Sequence, residues 1–174
     1  MRPTPRDSGF TLVELLVALA VAGIVLGIGA PALGGLMSRM RAQSALGSVS
    51  SSLALARMEA ISRRRAVTLC PSADGRRCSG NPDWSNGWLV FTDANADGQP
   101  AESELIRRVD PVPAPLSLRS TAGRVRIRFQ PSGWASGTNV TLNLCDGETP
   151  RARVILNTSG RARVERERAE CGDA

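Results

Sequence analysis

The chain has 174 residues, room for one domain plus an anchor, and carries a formal net charge of +6. Its 22 basic residues are all arginine, and histidine and tyrosine are absent. Without histidine there are no histidine triads, no cysteine–histidine pairs and none of the usual zinc sites; without lysine there is no Schiff-base chemistry and no serine–lysine dyad. The composition points away from an enzyme, and no cofactor is implied.

The chain opens on Arg2 and Arg6, then the junction Gly9-Phe10, then an apolar run to Leu33 whose one charge is Glu14. A secretory signal peptide shares the basic start and apolar core, but this run is long for a signal core and contains Glu14. A plain anchor accounts for the length, since about 20 apolar residues span a bilayer, but not for Gly9-Phe10 or Glu14. The flanking arginines place the N-terminus in the cytoplasm. A carboxylate inside hydrocarbon is costly unless it finds a partner. The free amino group of Phe10, created by cleavage after Gly9, would be that partner, in the same chain or in the next subunit. The segment Ser8-Gly9-Phe10-Thr11-Leu12-Val13-Glu14 resembles the processing site of type IV prepilins and type II secretion pseudopilins. The resemblance implies a leader peptide over 1–9, removal by the prepilin peptidase, methylation of Phe10, and a role for Glu14 in filament assembly. The expected layout is leader 1–9, transmembrane helix 10–33 in the bacterial inner membrane, and an exported domain over 34–174. Pro31 with Gly27, Gly29, Gly34 and Gly35 predicts a kink or loosening near the membrane exit.

After that, Ala42, Leu46, Val49, Leu53, Ala56 and Ala60 recur at spacings of three and four, one apolar face of an amphipathic helix running to about residue 65. Arg63-Arg64-Arg65 close it, where cations suit the negative end of the helix dipole. From there the pattern shortens to alternating runs. Residues 66–70, 87–91, 104–109, 124–129, 140–145, 153–157 and 161–166 read as strands separated by turn-rich segments. Seven short strands after one long helix predict an α+β fold, with antiparallel sheets packed on the helix. Trp88 and Phe91 fall on opposite faces of one strand; Trp88 is expected in the core and Phe91 is left open.

The four cysteines would meet an oxidising compartment once exported. They allow three connectivities. Cys70–Cys78 closes a short loop at low entropic cost, which leaves Cys145–Cys171 to clamp the tail. No C-x-x-C spacing supports a metal site.

Asp93-Ala94-Asn95-Ala96-Asp97-Gly98, followed by five residues and then Glu104, matches the EF-hand loop formula. Asp93, Asn95, Asp97 and Glu104 would suit calcium, yet the loop joins strands rather than helices, and Asp, Asn and Gly also build plain turns. A metal is not favoured.

The C-terminal region is rich in arginine. Gly160-Arg161-Ala162-Arg163 opens the last strand, Arg166 and Arg168 follow, and Arg151 and Arg153 lie on the strand before. Alternation puts Arg161 and Arg163 on one face, and arginine forks suit phosphate oxygens. The interleaved Glu165, Glu167 and Glu170 fit equally an exposed strand with a solvated charged face. This tail holds no aromatic side chain, hence no stacking platform for single-stranded bases.

Taken together, the leader, the helix, Gly87-Trp88-Leu89-Val90-Phe91, the D-x-N-x-D-G turn and four cysteines resemble the GspH/FimT group of type IV pilins and pseudopilins. The resemblance implies a pilin-like fold and other pilins as partners in a filament. FimT-type minor pilins act in DNA uptake during natural transformation. Their C-terminal G-R-x-R element, matched by Gly160-Arg161-Ala162-Arg163, is associated with DNA binding, which makes double-stranded DNA an expected partner. The alternative is a GspH-like minor pseudopilin of the type II secretion system, with protein contacts only.

Overall fold

The computed structural model describes residues 11–166 and 168–172, without the side chains of 28–32. Helix α1 spans Leu12–Arg63. Two compact units divide the chain, Met1–Met40 and Arg41–Ala174, and α1 contributes to both.

In the first unit α1 begins with a reciprocal cap. Thr11 Oγ1 accepts a hydrogen bond from the Glu14 backbone N–H at 3.3 Å. Glu14 Oε2 accepts from the Thr11 backbone N–H at 2.9 Å and from its hydroxyl at 3.0 Å. This is a capping box, Thr-x-x-Glu, which satisfies backbone donors that a helix start leaves open. Leu12, Val13, Leu15, Leu16, Val17, Leu19, Ile24 and Leu26 are all more than half exposed. Residue 31 lies within the helical assignment, so the proline does not end the helix as its chemistry allows. Among the described residues no helix is long and apolar enough to cross a membrane. The expected span 10–33 includes Phe10 and the side chains of 28–32, which lie outside the description, as do the leader 1–9 and the Gly9-Phe10 junction.

The second unit is built from two antiparallel sheets and the C-terminal part of α1. β1 (Val67–Pro71), β2 (Trp88–Thr92), β3 (Leu105–Val109) and β5 (Ile127–Phe129) form one sheet in the order β3-β2-β1-β5. β4 (Leu116–Ser120), β6 (Val140–Asp146), β7 (Thr149–Leu156) and β8 (Ala162–Arg166) form the other in the order β4-β6-β7-β8. The inner faces of both sheets and one face of α1 share a single core. It takes Ala42, Ala45, Val49, Leu53, Ala56 and Ala60 from the helix, with Leu46 half-buried beside them. The small alanines let the helix lie close to the sheets. Opposite them are Val67, Leu69, Trp88 and Val90 from one sheet and Leu118, Leu144, Val154 and Leu156 from the other. Alternate residues of each strand thus point inward, as the pleat requires. The α+β fold with antiparallel sheets packed on a long helix is the fold expected from the pattern.

The outer faces are not bare. Phe91 is fully buried in a second, smaller cluster with Cys70 and Leu89, against which Cys78 and Leu105 pack. Cys70 and Cys78 are disulfide-bonded, so the segment between them folds over the outside of the first sheet. That answers the question left open for Phe91: both faces of β2 are covered. On the other sheet Cys145 of β6 is disulfide-bonded to Cys171. Beside this bridge the Glu170 backbone N–H donates to Asn143 Oδ1 at 3.2 Å, and Ala169 is buried. The tail therefore returns across the outside of the second sheet.

Among the described residues eight strands form, against the seven expected. The additional strand is β4, whose sequence signal is weak because its apolar residues are only Leu116 and Leu118, between a proline-rich stretch and the Thr121–Arg124 turn; its pairing Leu118↔Leu144 supplies the rest. β7 starts at Thr149, four residues earlier than expected, despite Pro150. The register shift between Leu144 and Cys145 lies where Pro150 pairs, and a proline's missing N–H is tolerated at such an irregularity. The strand expected over 124–129 shortens to Ile127–Phe129.

Candidate nucleic-acid interface

The Gly160-Arg161-Ala162-Arg163 element forms at the turn between β7 and β8. Asn157 builds that turn. Its carbonyl accepts from the Gly160 N–H at 2.9 Å, and its side-chain Oδ1 accepts from the Arg161 N–H at 2.9 Å. Gly160 has φ +76°, and a Cβ there would lie 2.2 Å from the Gly133 carbonyl oxygen. Only glycine fits that approach in that conformation. The Gly160 carbonyl accepts from Arg57 Nη1, on α1, at 3.1 Å. The glycine therefore serves packing of the turn against the 131–135 loop and the helix.

Arg161 follows, exposed, with no carboxylate partner among the described residues. Arg163 is also exposed, but its Nε donates to Glu165 Oε1 at 3.0 Å. Arg153, opposite Glu165 in the β7–β8 ladder, donates to Glu165 Oε2, with Nε at 2.8 Å and Nη2 at 2.7 Å. These bonds, from Arg153 first and then Arg163, hold the Glu165 carboxyl below the usual glutamate range. The three side chains share the outer face of the sheet, and one carboxylate answers two guanidiniums. Arg151 Nη2 donates to Asp146 Oδ2 at 2.6 Å. Arg166 lies on the other face of β8, with Val164 and Ala162, by strand alternation. Arg168 is exposed in the tail.

The arginines predicted as one group are thus sorted by the fold. Arg161 stands clear at the turn, Arg153 and Arg163 are tied to Glu165, Arg151 is tied to Asp146, and Arg166 faces away from Arg163.

Two residues that sequence reading did not single out belong to the same corner. Arg57 holds the turn from the helix. Trp134 is 59% exposed, and both its neighbours touch the turn: Gly133 through its carbonyl beside Gly160, and Ala135 through its N–H, which donates to the Thr158 carbonyl at 2.9 Å. A tryptophan inside Pro131-Ser132-Gly133-Trp134-Ala135-Ser136-Gly137 has few apolar neighbours to bury it, and that was the available signal.

The calcium-like loop is held together by protein groups. Asp93 is buried; its Oδ2 accepts from Thr68 Oγ1 at 3.1 Å and pairs with Arg128 Nη1 at 3.3 Å, and its Oδ1 accepts from the Gly98 N–H at 3.2 Å. Asp97 accepts from Asn95 Nδ2 at 2.7 Å and from the Gln99 N–H at 2.8 Å. Glu104 accepts from the Ala101 N–H at 3.1 Å. The four residues of the calcium-like formula thus stabilise a turn, and among the described residues no cluster of three metal-binding side chains forms.

Comparison with known proteins finds two family matches. Residues 45–160 match the family described as type II transport protein GspH, and residues 4–30 match the prokaryotic N-terminal methylation motif. The chain is 30% identical over 170 residues to the pilin-like protein PilA1 of Thermus thermophilus, covering 90% of this chain and 97% of that one. Among solved structures it is similar to the type IV minor pilin FimU of Pseudomonas aeruginosa, with a TM-score of 0.62 and 24% identity over 76% of this chain and 93% of that one. It is also similar to the minor pseudopilin EpsH of the Vibrio cholerae type II secretion system, with a TM-score of 0.54 and 16% identity over 75% of this chain and 99% of that one. These structures share its fold. The GspH match ends at residue 160, so the arginine-bearing strand lies beyond the stretch it covers.

Proposed function

Because the chain belongs to the GspH family and carries the N-terminal methylation motif of pilins and pseudopilins, we propose that it is a minor pilin of a type IV pilus that binds DNA without sequence preference during natural transformation. In this reading the prepilin peptidase cuts after Gly9, Phe10 is methylated, and residues 10–33 anchor the subunit in the inner membrane until it joins a filament with other pilins. Glu14 has two tasks. Oε2 closes the capping box with Thr11, and Oε1, without a hydrogen bond among the described residues, is left to meet the Phe10 amino group of a neighbouring subunit. The chain's role is assembly and binding, with no reaction catalysed.

The observation that carries the DNA reading is Arg161, exposed and without a carboxylate partner among the described residues, on a turn pinned by Asn157 and Arg57. A guanidinium already in a carboxylate pair must give up that pair to take a phosphate; Arg161 pays no such cost. Arg163 and Arg153 share one carboxylate and add positive potential beside it. Phosphate contacts of this kind give non-specific dissociation constants of roughly 1–100 μM and a steep salt dependence. The test is a gel shift with duplex DNA over a salt series. Arg161→Gln combined with Arg163→Gln should lower both affinity and salt slope, with the circular dichroism spectrum unchanged. Unaltered binding in a folded double variant would favour the pseudopilin reading, in which this strand is an ordinary solvated edge.

A further inference from the structure

We propose that Trp134 forms a stacking platform beside Arg161, so that this corner grips unpaired nucleobases and prefers single-stranded to double-stranded DNA. The proposal rests on the DNA-binding reading and names the form of DNA that the same site takes.

The argument begins with placement. The 131–135 loop and the 157–160 turn are separate in sequence but held together at two points, the Ala135 N–H to the Thr158 carbonyl and the Gly133 carbonyl against Gly160. Trp134 is the residue between those two anchors, and Arg161 is the residue after the second. Each is thus one residue from the Gly133–Gly160 approach, which keeps the two positions in one corner of the surface. Arg57 braces the same turn from the helix through the Gly160 carbonyl.

The chemistry of the pair comes next. Trp84 and Trp88 are buried at 1% and 2% exposure, whereas Trp134 keeps 59% of its surface in water. On a braced loop the backbone carrying the indole is already ordered, so binding has only its side-chain rotamers left to fix. Every nucleobase has a π-face that stacks on it, whereas bases in a duplex are already stacked on each other and withheld. Arg161 supplies the charge for the adjoining phosphate. A single strand would use both groups at once, and a duplex only the arginine.

The exposure pattern also provides the probe. With two tryptophans buried, quenching of intrinsic fluorescence by added oligonucleotide reports chiefly on Trp134. The full chain in detergent micelles is titrated with oligothymidine and with a duplex of equal length, following fluorescence and the anisotropy of labelled DNA. Oligothymidine should quench and the duplex should not. Trp134→Ala should weaken oligothymidine binding by about 5- to 150-fold, the range expected for loss of one stacked base, and leave duplex binding within about twofold. Trp134→Phe should restore most of the loss. Arg161→Gln should weaken both forms.

Five results would overturn the proposal. Equal loss for both forms in Trp134→Ala would make the indole a general contact. No loss for either would make it a bystander. Weaker self-association of that variant with unchanged DNA binding would assign Trp134 to contacts between copies. Binding of both forms that fails to respond to Arg161→Gln would remove this corner as the site, and failure to bind either form would remove the DNA-binding reading with it.

Discussion

Replacing Gly160 by alanine tests whether this glycine works as a packing element. At φ +76° an alanine pays roughly 1 kcal/mol net, once the smaller entropy of its unfolded chain is counted. The larger cost comes from its Cβ, 2.2 Å from the Gly133 carbonyl oxygen. The turn must withdraw. Withdrawal strains the charge-assisted bond from Arg57 to the Gly160 carbonyl, worth about 1.5–3 kcal/mol, and the bond from Ala135 to Thr158, worth about 1 kcal/mol. The expected total is about 3–5 kcal/mol, a large share of the roughly 5–15 kcal/mol that holds a domain folded. Gly123→Ala provides the control. Its φ is +77°, but a Cβ there meets nothing within 4 Å, so it should cost only about 1 kcal/mol. Urea unfolding of the two variants, followed by circular dichroism, measures the difference. Arg57→Ala and Gly160→Ala strain the same bond, so their combination should cost less than the sum. If Gly160→Ala falls within about 1 kcal/mol of Gly123→Ala, the close approach does not stabilise the turn and the packing argument fails.

Glu165 offers a pH test. Its folded pKa is lowered by Arg153 and Arg163, so its contribution to stability is present above the ordinary glutamate value of about 4.3 and is lost as pH falls through the folded value. Glu165→Gln should flatten the acid limb of a stability–pH curve, and at neutral pH it should strengthen DNA binding by freeing two guanidiniums; weaker binding in that variant would contradict the pairing argument. Arg64, the residue after the helix end, has φ +53°, so Arg64→Gly should raise stability by about 0.5–1 kcal/mol in a urea titration. Breaking Cys145–Cys171, which spans 26 residues, should cost about 3.5 kcal/mol, and breaking Cys70–Cys78, which spans 8, about 2.5 kcal/mol. Paired Cys→Ser variants in the same titration check both the size and the order.

How much of the candidate site was legible depends on the range of the interaction that makes it. The Gly160-Arg161 turn was readable because a glycine, an asparagine three residues earlier and alternating arginines act within a few positions of each other. The Thr11–Glu14 capping box is equally local: besides an amine for the Glu14 charge, the Thr-x-x-Glu spacing itself supplies a partner. The pairing of Arg153 with Glu165 was not legible. It depends on the β7–β8 register, and a shift of one residue would have set Arg153 opposite a residue of the other face.

By itself the sequence determined the leader motif, the apolar run, the helix face from Ala42 to Ala60, the run of short strands and the cysteine economy. Each depends on residue type and on periods of two to four residues, and such periods survive in a linear string. Only the tertiary structure decided that Phe91 is buried beneath a disulfide-tethered segment, that Arg166 turns away from Arg163, and that the loop carrying the exposed Trp134 is held against the 157–160 turn. Those outcomes depend on which strands pair and which loops fold over an outer face. Sheet order and loop placement come from the closure of one common core, where many weak contacts are satisfied together, and no local run of residues encodes them.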